Sequence, residues 1–319
     1  MTKKAVLITS LFFIIPLLDL WGCAPQNPQL TSLKKATEYR QMIASQKASA
    51  EAQIDKKLPP LTSEGLEQLG DRYLVQGKSE LAFKQYYEAL KLNPEQERLR
   101  YKIGRLFLEK GFTEEAKQEF QEILKKNANH PLAYEGMGRA FFISRDYAEA
   151  KSNFMQALKL NPKLWEAHNF LGIIFDRDGQ YDDALNHYAA AIGIKPNSSA
   201  LYNNLGTSLY LKGDHEKAIH AFDEGLKIDP SNPKLNNNRG LALSKLGRYQ
   251  EAVAAFKKGG DEASAYYNLG CIYMMQEKYV ESIEAFQKAI DIKPDFHVSA
   301  HENIKKAKAA LNSTAFPRN

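Results

Sequence analysis

Cysteine is nearly absent from this chain, with two in 319 residues. A disulfide-stapled fold is therefore excluded, and so is a cysteine-rich zinc or iron-sulfur site. Charge of one sign is also missing: 43 Lys and Arg stand against 38 Asp and Glu. The resulting +5 is too weak to point to nucleic acid or anionic lipid by itself. No glycine-rich phosphate loop occurs, because the glycines fall into a regular series of another kind. Long apolar runs are missing except at the N-terminus. What remains is ordinary globular material, 44% apolar and 25% charged, which excludes wholly disordered, collagenous and polytopic membrane chains.

The one apolar run, Ala5 to Leu18, follows Lys3 and Lys4 and leads into Leu20-Trp21-Gly22-Cys23. A run of this length covers about 21 Å of helix, short of the roughly 30 Å hydrocarbon core, so it reads as a signal segment. Leu20, Gly22 and Cys23 resemble the lipobox of bacterial lipoproteins, from which Trp21 and Asp19 depart. The resemblance implies removal of residues 1–22 and acylation of Cys23. Several acyl chains on one residue anchor a protein stably, where one chain binds only marginally. Ala24 after the cysteine resembles the outer-membrane sorting preference, which implies a lipid-anchored protein facing the periplasm. Plain secretion with a different cut and an uncleaved anchor are the alternatives. Residues 23–62 read as a tether. Pro25 and Pro28 enforce an extended spacer, and Leu33, Ala36, Ile43, Ala50 and Ile54 form a thin apolar stripe on a helix ended by Pro59-Pro60. That helix is either a solvated spacer or a segment that docks on a partner.

From residue 63 the sequence repeats. Glycine falls at 70, 104, 138, 172, 206 and 240, then at 270 after a shorter step. Alanine tracks it at 82, 116, 150, 184, 218 and 252, with Ser282 as the seventh, and an aromatic follows four residues later: Tyr86, Phe120, Phe154, Tyr188, Phe222, Phe256, Phe286. Proline closes most units, at 94, 162, 196, 230 and 294. A fixed period in this range is the mark of a solenoid. Within each unit, apolar residues recur at 3.6-residue spacing on both sides of a turn, so each unit is expected to be two antiparallel helices. Gly77, Gly111, Gly179, Gly213 and Gly247 stand where the first helix should end in a left-handed residue. The in-helix glycine and the alanine should let the two helices approach, with the aromatic filling the gap against the next unit.

These small residues, the first-helix aromatics Tyr73, Phe107, Phe141, Phe175 and Tyr273, and the closing prolines resemble the tetratricopeptide repeat. The resemblance covers residues 63–296 as seven helix-turn-helix repeats. It implies an all-α fold, a right-handed superhelix, with residues 297–312 as a C-terminal capping helix that keeps the last face soluble and 313–319 as a tail. Two departures meet in the sixth unit. Arg239 stands where Leu69, Ile103, Met137, Leu171, Leu205 and Leu269 stand elsewhere, and the unit is four residues short, ending in Lys257-Lys258-Gly259-Gly260. A buried guanidinium needs a carboxylate, or the packing must shift, so a weak or reoriented joint is expected at 239–263.

No catalytic, cofactor or metal constellation is evident, and the chain reads as a non-enzyme. His297 and His301 make at most half a metal site, and Cys271 lacks a neighbour to activate its thiol. The resemblance implies a concave groove lined by first helices that holds a protein or peptide. Groove positions run from acidic (Glu64, Glu67, Asp71) through Arg98, Tyr101, Arg105 and Arg139 to amide and hydroxyl (Asn169, Asn203, Thr207, Asn237), then to a soft apolar patch of Tyr267, Cys271 and Met274. The three asparagines, 34 residues apart, are expected to form a ladder gripping a peptide backbone. Removing two of them should weaken that grip and leave stability untouched. The carboxylate clamp of chaperone-binding relatives is missing.

The lipobox, the seven units and the shortened sixth, NNNRGLALSKLGRYQEAVAAFKKGGDEASAYYNLG, resemble the lipoprotein of tight adherence (Flp) pilus assembly. That resemblance implies a membrane-anchored scaffold for an envelope machine, with a secretin or another pilus or secretion component as partner and no nucleic acid. An accessory adaptor of a peptidoglycan hydrolase or glycosyltransferase is the alternative.

Overall fold

The computed structural model describes residues 62–294 and 297–315. The signal segment, Cys23, nearly all of the tether and the last four residues lie outside it. Among the described residues there are fifteen helices and no strand. Seven consecutive pairs are α1 (Ser63–Val75) with α2 (Ser79–Leu92), α3 (Glu97–Glu109) with α4 (Thr113–Lys126), α5 (Pro131–Ile143) with α6 (Tyr147–Leu160), α7 (Trp165–Arg177) with α8 (Tyr181–Ile194), α9 (Ser199–Lys212) with α10 (His215–Ile228), α11 (Pro233–Lys245) with α12 (Tyr249–Gly259), and α13 (Glu262–Met275) with α14 (Tyr279–Ile292). A last helix, α15, spans His297–Ala315. None of these helices is long and apolar enough to cross a membrane.

The described chain falls into two compact units. The first runs to Glu122 and includes Ile143–Arg145; the second holds Ile123–Phe142 and everything from Asp146 onward. In both, the same contact builds each pair. The aromatic of the second helix packs against the glycine of its own first helix, so that a Cβ added to Gly104 would stand 2.6 Å from the Phe120 ring and one added to Gly206 would stand 2.5 Å from Phe222. The sequence suggested that the ring fills a gap against the next repeat; its first contact is with its own. Phe154 does both, covering Gly138 and stacking on Phe170 of the next helix pair at 5.2 Å. The paired alanines are fully buried, and so is Ser282, whose hydroxyl donates to the Gly270 carbonyl at 2.8 Å and so loses no hydrogen bond on burial.

The five turn glycines are left-handed, with φ between 71° and 95°. In the third and seventh repeats no glycine stands there, and Arg145 (φ 64°) and Glu277 (φ 61°) adopt the same conformation. The turn is imposed by the packing of the flanking helices, not by the residue that occupies it.

Arg239 finds its carboxylate. Its Nε donates to Asp223 Oδ1 of α10 at 2.6 Å, and the side chain keeps a quarter of its surface exposed. The missing four residues are taken from the end of the sixth repeat: α12 has 11 residues where the other second helices have 14. Its last residue, Gly259, lies so close to α11 that a Cβ would fall 2.3 Å from Asn237 Oδ1.

The ring-on-glycine contact sets a contrast that chemical denaturation can read. Gly206→Ala forces a methyl into the Phe222 ring and should cost about 1–3 kcal/mol, as overpacking does. Gly193→Ala, in α8 with nothing within 4 Å of the new methyl, should instead stabilise by about 0.5–1 kcal/mol. Equal effects at the two sites would show that the ring does not confine the glycine.

Candidate functional site

The residues expected to line a binding face sit on the first helix of each pair, and nearly all are engaged with the helix that follows. In the first unit, the acidic start is neutralised. Glu67 is 3% exposed and pairs with Lys102 Nζ at 2.7 Å and with Arg98, both on α3. Lys102 also donates to Asp71 at 2.6 Å, as does the Tyr86 hydroxyl. Burial alone would raise the Asp71 pKa, but these donors outweigh it and hold the carboxyl below its ordinary value. Arg105, in the same unit, holds its guanidinium 6.0 Å from the centre of the Tyr101 ring.

In the second unit, Arg139 of α5 donates to Glu166 of α7 at 3.1 Å and lies over the Phe170 ring. Asn169 and Asn203 have partners that the sequence reading did not name. Asn204 Nδ2 donates to Asn169 Oδ1 at 2.8 Å, and Asn238 Nδ2 donates to Asn203 Oδ1 at 2.9 Å. Each bond joins a first helix to the next first helix, α7 to α9 and α9 to α11. The signal for them in the sequence is the pair of consecutive asparagines two and three residues ahead of Gly206 and Gly240. Asn203 is only 9% exposed, so its removal is expected to affect stability as well as any grip. Asn237 turns elsewhere and donates to the Gly259 carbonyl at 3.5 Å.

The expected apolar patch of Tyr267, Cys271 and Met274 lies against α15. These residues pack beside the cluster of Phe286, Ile290, Ala300 and Ile304, and Asn303 donates to the Tyr267 hydroxyl at 3.1 Å. Burial pushes the Cys271 thiol up to about 11, partly offset by a hydrogen bond with Tyr267, so it is a thiol and not a thiolate at neutral pH. No three His, Cys, Asp or Glu side chains gather as metal ligands among the described residues. His168 and His187 meet at 2.9 Å between their Nδ1 atoms, and burial lowers the pKa of both.

Asp176, near the end of α7, is the most perturbed carboxylate of this face. Burial raises its pKa to about 6, while hydrogen bonds from Ser208 on α9 (2.6 Å) and from the Tyr188 hydroxyl (2.8 Å) pull it down only in part. The folded chain thus holds this proton more tightly than the unfolded chain, whose carboxyl titrates near 3.8. This group therefore favours the fold increasingly as pH falls from about 6 to about 4, and its ionisation costs stability above that window. Ser208→Ala removes a donor to the charged form. An NMR titration of Asp176 should then show a midpoint higher than in the parent chain; an unchanged midpoint would mean the hydroxyl does not solvate the carboxylate.

Four sequence models match the chain. Models described as tetratricopeptide repeat match residues 73–140, 135–199 and 263–296, and one described as TPR repeat matches 206–247. Together they span more than half of the chain, and the unmatched stretch 248–262 holds the end of the shortened unit. No curated protein matches. Among solved structures, a tetratricopeptide repeat protein from Parabacteroides merdae is 17% identical, with a TM-score of 0.51 over 77% of this chain and 98% of its own. The Cut9–Hcn1 hetero-tetramer of the APC/C gives 19% identity and a TM-score of 0.54, over 84% of this chain and 52% of that one. MamA from Desulfovibrio magneticus RS-1 is 26% identical, with a TM-score of 0.48 over 53% of this chain and 95% of its own. The first two likenesses show the fold alone, and it agrees with the sequence models and with the ring-on-glycine pairs: the chain belongs to the tetratricopeptide repeat family.

Proposed function

We propose that this protein is a non-catalytic scaffold, anchored to a membrane through lipid on Cys23, whose first-helix face holds a protein partner during assembly of a Flp-type pilus or a related secretion channel. The observation that carries the binding part is the make-up of that face in the second unit: amide side chains fixed at consecutive helix junctions on rigid elements. An amide in a bond such as Asn204 to Asn169 still has a free donor or acceptor, and it has already lost the rotamer freedom that a ligand would otherwise have to freeze. Such a surface grips a polypeptide main chain without reading its side chains.

The anchoring part rests on the lipobox-like Leu20-Trp21-Gly22-Cys23, and the assembly part on the resemblance of the shortened sixth repeat to the pilus lipoprotein. The partner on this reading is a secretin or another component of the machine, met at the periplasmic face of the outer membrane.

Cys23→Ala should move the protein from the membrane fraction to the soluble one, and retention after that change would remove the lipid anchor from the account. Deleting the protein from a cell that displays such pili should abolish their display. Normal piliation would refute the assembly role while leaving partner binding open to a direct assay.

A further inference from the structure

Two imidazoles meet between the helices of the fourth pair. His168 of α7 and His187 of α8 face each other with their Nδ1 atoms 2.9 Å apart. The far nitrogen of His168, Nε2, stands 3.2 Å from the Pro162 carbonyl oxygen. A carbonyl oxygen can only accept, so Nε2 carries the ring proton and Nδ1 points its lone pair at His187. In the free chain His187 meets that lone pair by donating its own Nδ1–H.

A ligating histidine is held in the same way as His168, with one nitrogen open toward the ion and the other N–H fixed by a backbone carbonyl. His187 is held from the side, the Phe175 ring stacking on it at 5.3 Å and 13°. Burial lowers the proton affinity of both rings, so at neutral pH a cation has no proton to displace from the pair as a whole.

Ligand count and charge select the ion. No three His, Cys, Asp or Glu side chains gather as metal ligands among the described residues, so Zn(II) and other divalent ions are short of donors here. Lys151 brings a positive charge, its Nζ 4.0 Å from the centre of the Phe175 ring, and Asp183, one turn before His187 on α8, opposes it. Two neutral rings between opposed charges tolerate one added positive charge more readily than two. We infer that His168 and His187 form a two-coordinate site for a soft monovalent cation, Cu(I) or Ag(I), held in line between the two Nδ1 atoms. Imidazole suits copper, and a singly charged ion with a filled d shell completes its coordination with two donors in line.

On binding, two metal–nitrogen bonds form. The His187 proton leaves Nδ1 and is replaced at Nε2, so each ring stays neutral, no proton is released and no electron moves. Bonds of about 2 Å in line set the nitrogens about 4 Å apart, so the rings turn away from each other by about 1 Å. Both side chains are half-buried and have solvent on one side to turn into.

Cys271 is the rival donor, since soft cations favour sulfur. The test therefore uses the full chain carrying Cys23→Ala, in which Cys271 is the remaining thiol, titrated with Ag(I) as a redox-inert probe. NMR of isotope-labelled imidazoles should show one equivalent shifting His168 and His187 together and moving the His187 proton to Nε2. His187→Gln keeps a hydrogen-bond donor beside His168, and it should leave the melting curve nearly unchanged while weakening Ag(I) binding by about a hundredfold. X-ray absorption of the chain loaded with Cu(I) under reducing conditions should show two nitrogen neighbours. Shifts confined to other residues, sulfur neighbours, or unchanged affinity in His187→Gln would each overturn the site. Zn(II) moving both rings as strongly as Ag(I) would overturn the choice of ion.

Discussion

Each helix pair depends on a ring lying on a glycine. The contact between Phe222 and Gly206, repeated in kind from Tyr86 on Gly70 to Phe286 on Gly270, fixes how near the second helix approaches the first. Glycine inside a helix costs roughly 1 kcal/mol against alanine, a cost repeated seven times here. It is offset because a large aromatic is buried completely and dispersion contacts accumulate at close range. Once the two helices of a pair are so fixed, the faces they turn to the next pair are fixed too, and the junction contacts follow from them.

Two of the seven rings are tyrosines with an acid of the first helix beside the hydroxyl: Tyr86 donates to Asp71, and Tyr188 to Asp176. The outcomes differ because the neighbours differ. Asp71 also receives Lys102 and is held in its charged form, whereas Asp176 receives only neutral donors and burial dominates. A tyrosine at one position of the repeat thus stands beside a permanent anion in the first helix pair, one residue after Gly70, and beside a carboxyl that titrates near neutrality in the fourth, four residues after Gly172.

The repeat itself was legible in the sequence because its period is set by backbone geometry: small residues where helices touch, an aromatic four residues on, glycine at the turn. Arg239 was legible as a misfit, though its partner Asp223 was not, since a carboxylate on the preceding helix pair carries no local signal. The binding face was read less well. Spacing placed Asn169, Asn203 and Asn237 on one face, but spacing alone does not say whether a side chain looks outward or across to its neighbour. Asn204 and Asn238, one residue further along, decide that question at two junctions, and α15 decides it for Tyr267. Arg145 and Glu277 show the converse, a left-handed turn where the sequence gives no sign of one, because the flanking helices impose it.

The shortened repeat brings these strands together. A deletion between helices usually costs packing, and here Gly259 admits the close approach of α12 to α11 and Lys257 pairs across the join with Glu262 at 2.6 Å, while within the seventh pair Lys293 reaches Asp261, the cap of α13, at 3.3 Å. Both ion pairs are substantially exposed, and pairs of that kind contribute at most about 1 kcal/mol and weaken with salt. No amide hydrogen bond like those of Asn204 and Asn238 joins α11 to α13 among the described residues. A junction held by exposed ion pairs where the two before it carry amide hydrogen bonds is expected to open more readily than they do. The missing turn at the end of α12 is the one change that sets this junction apart, so restoring the four residues should close that difference, read as slower amide exchange at 239–263.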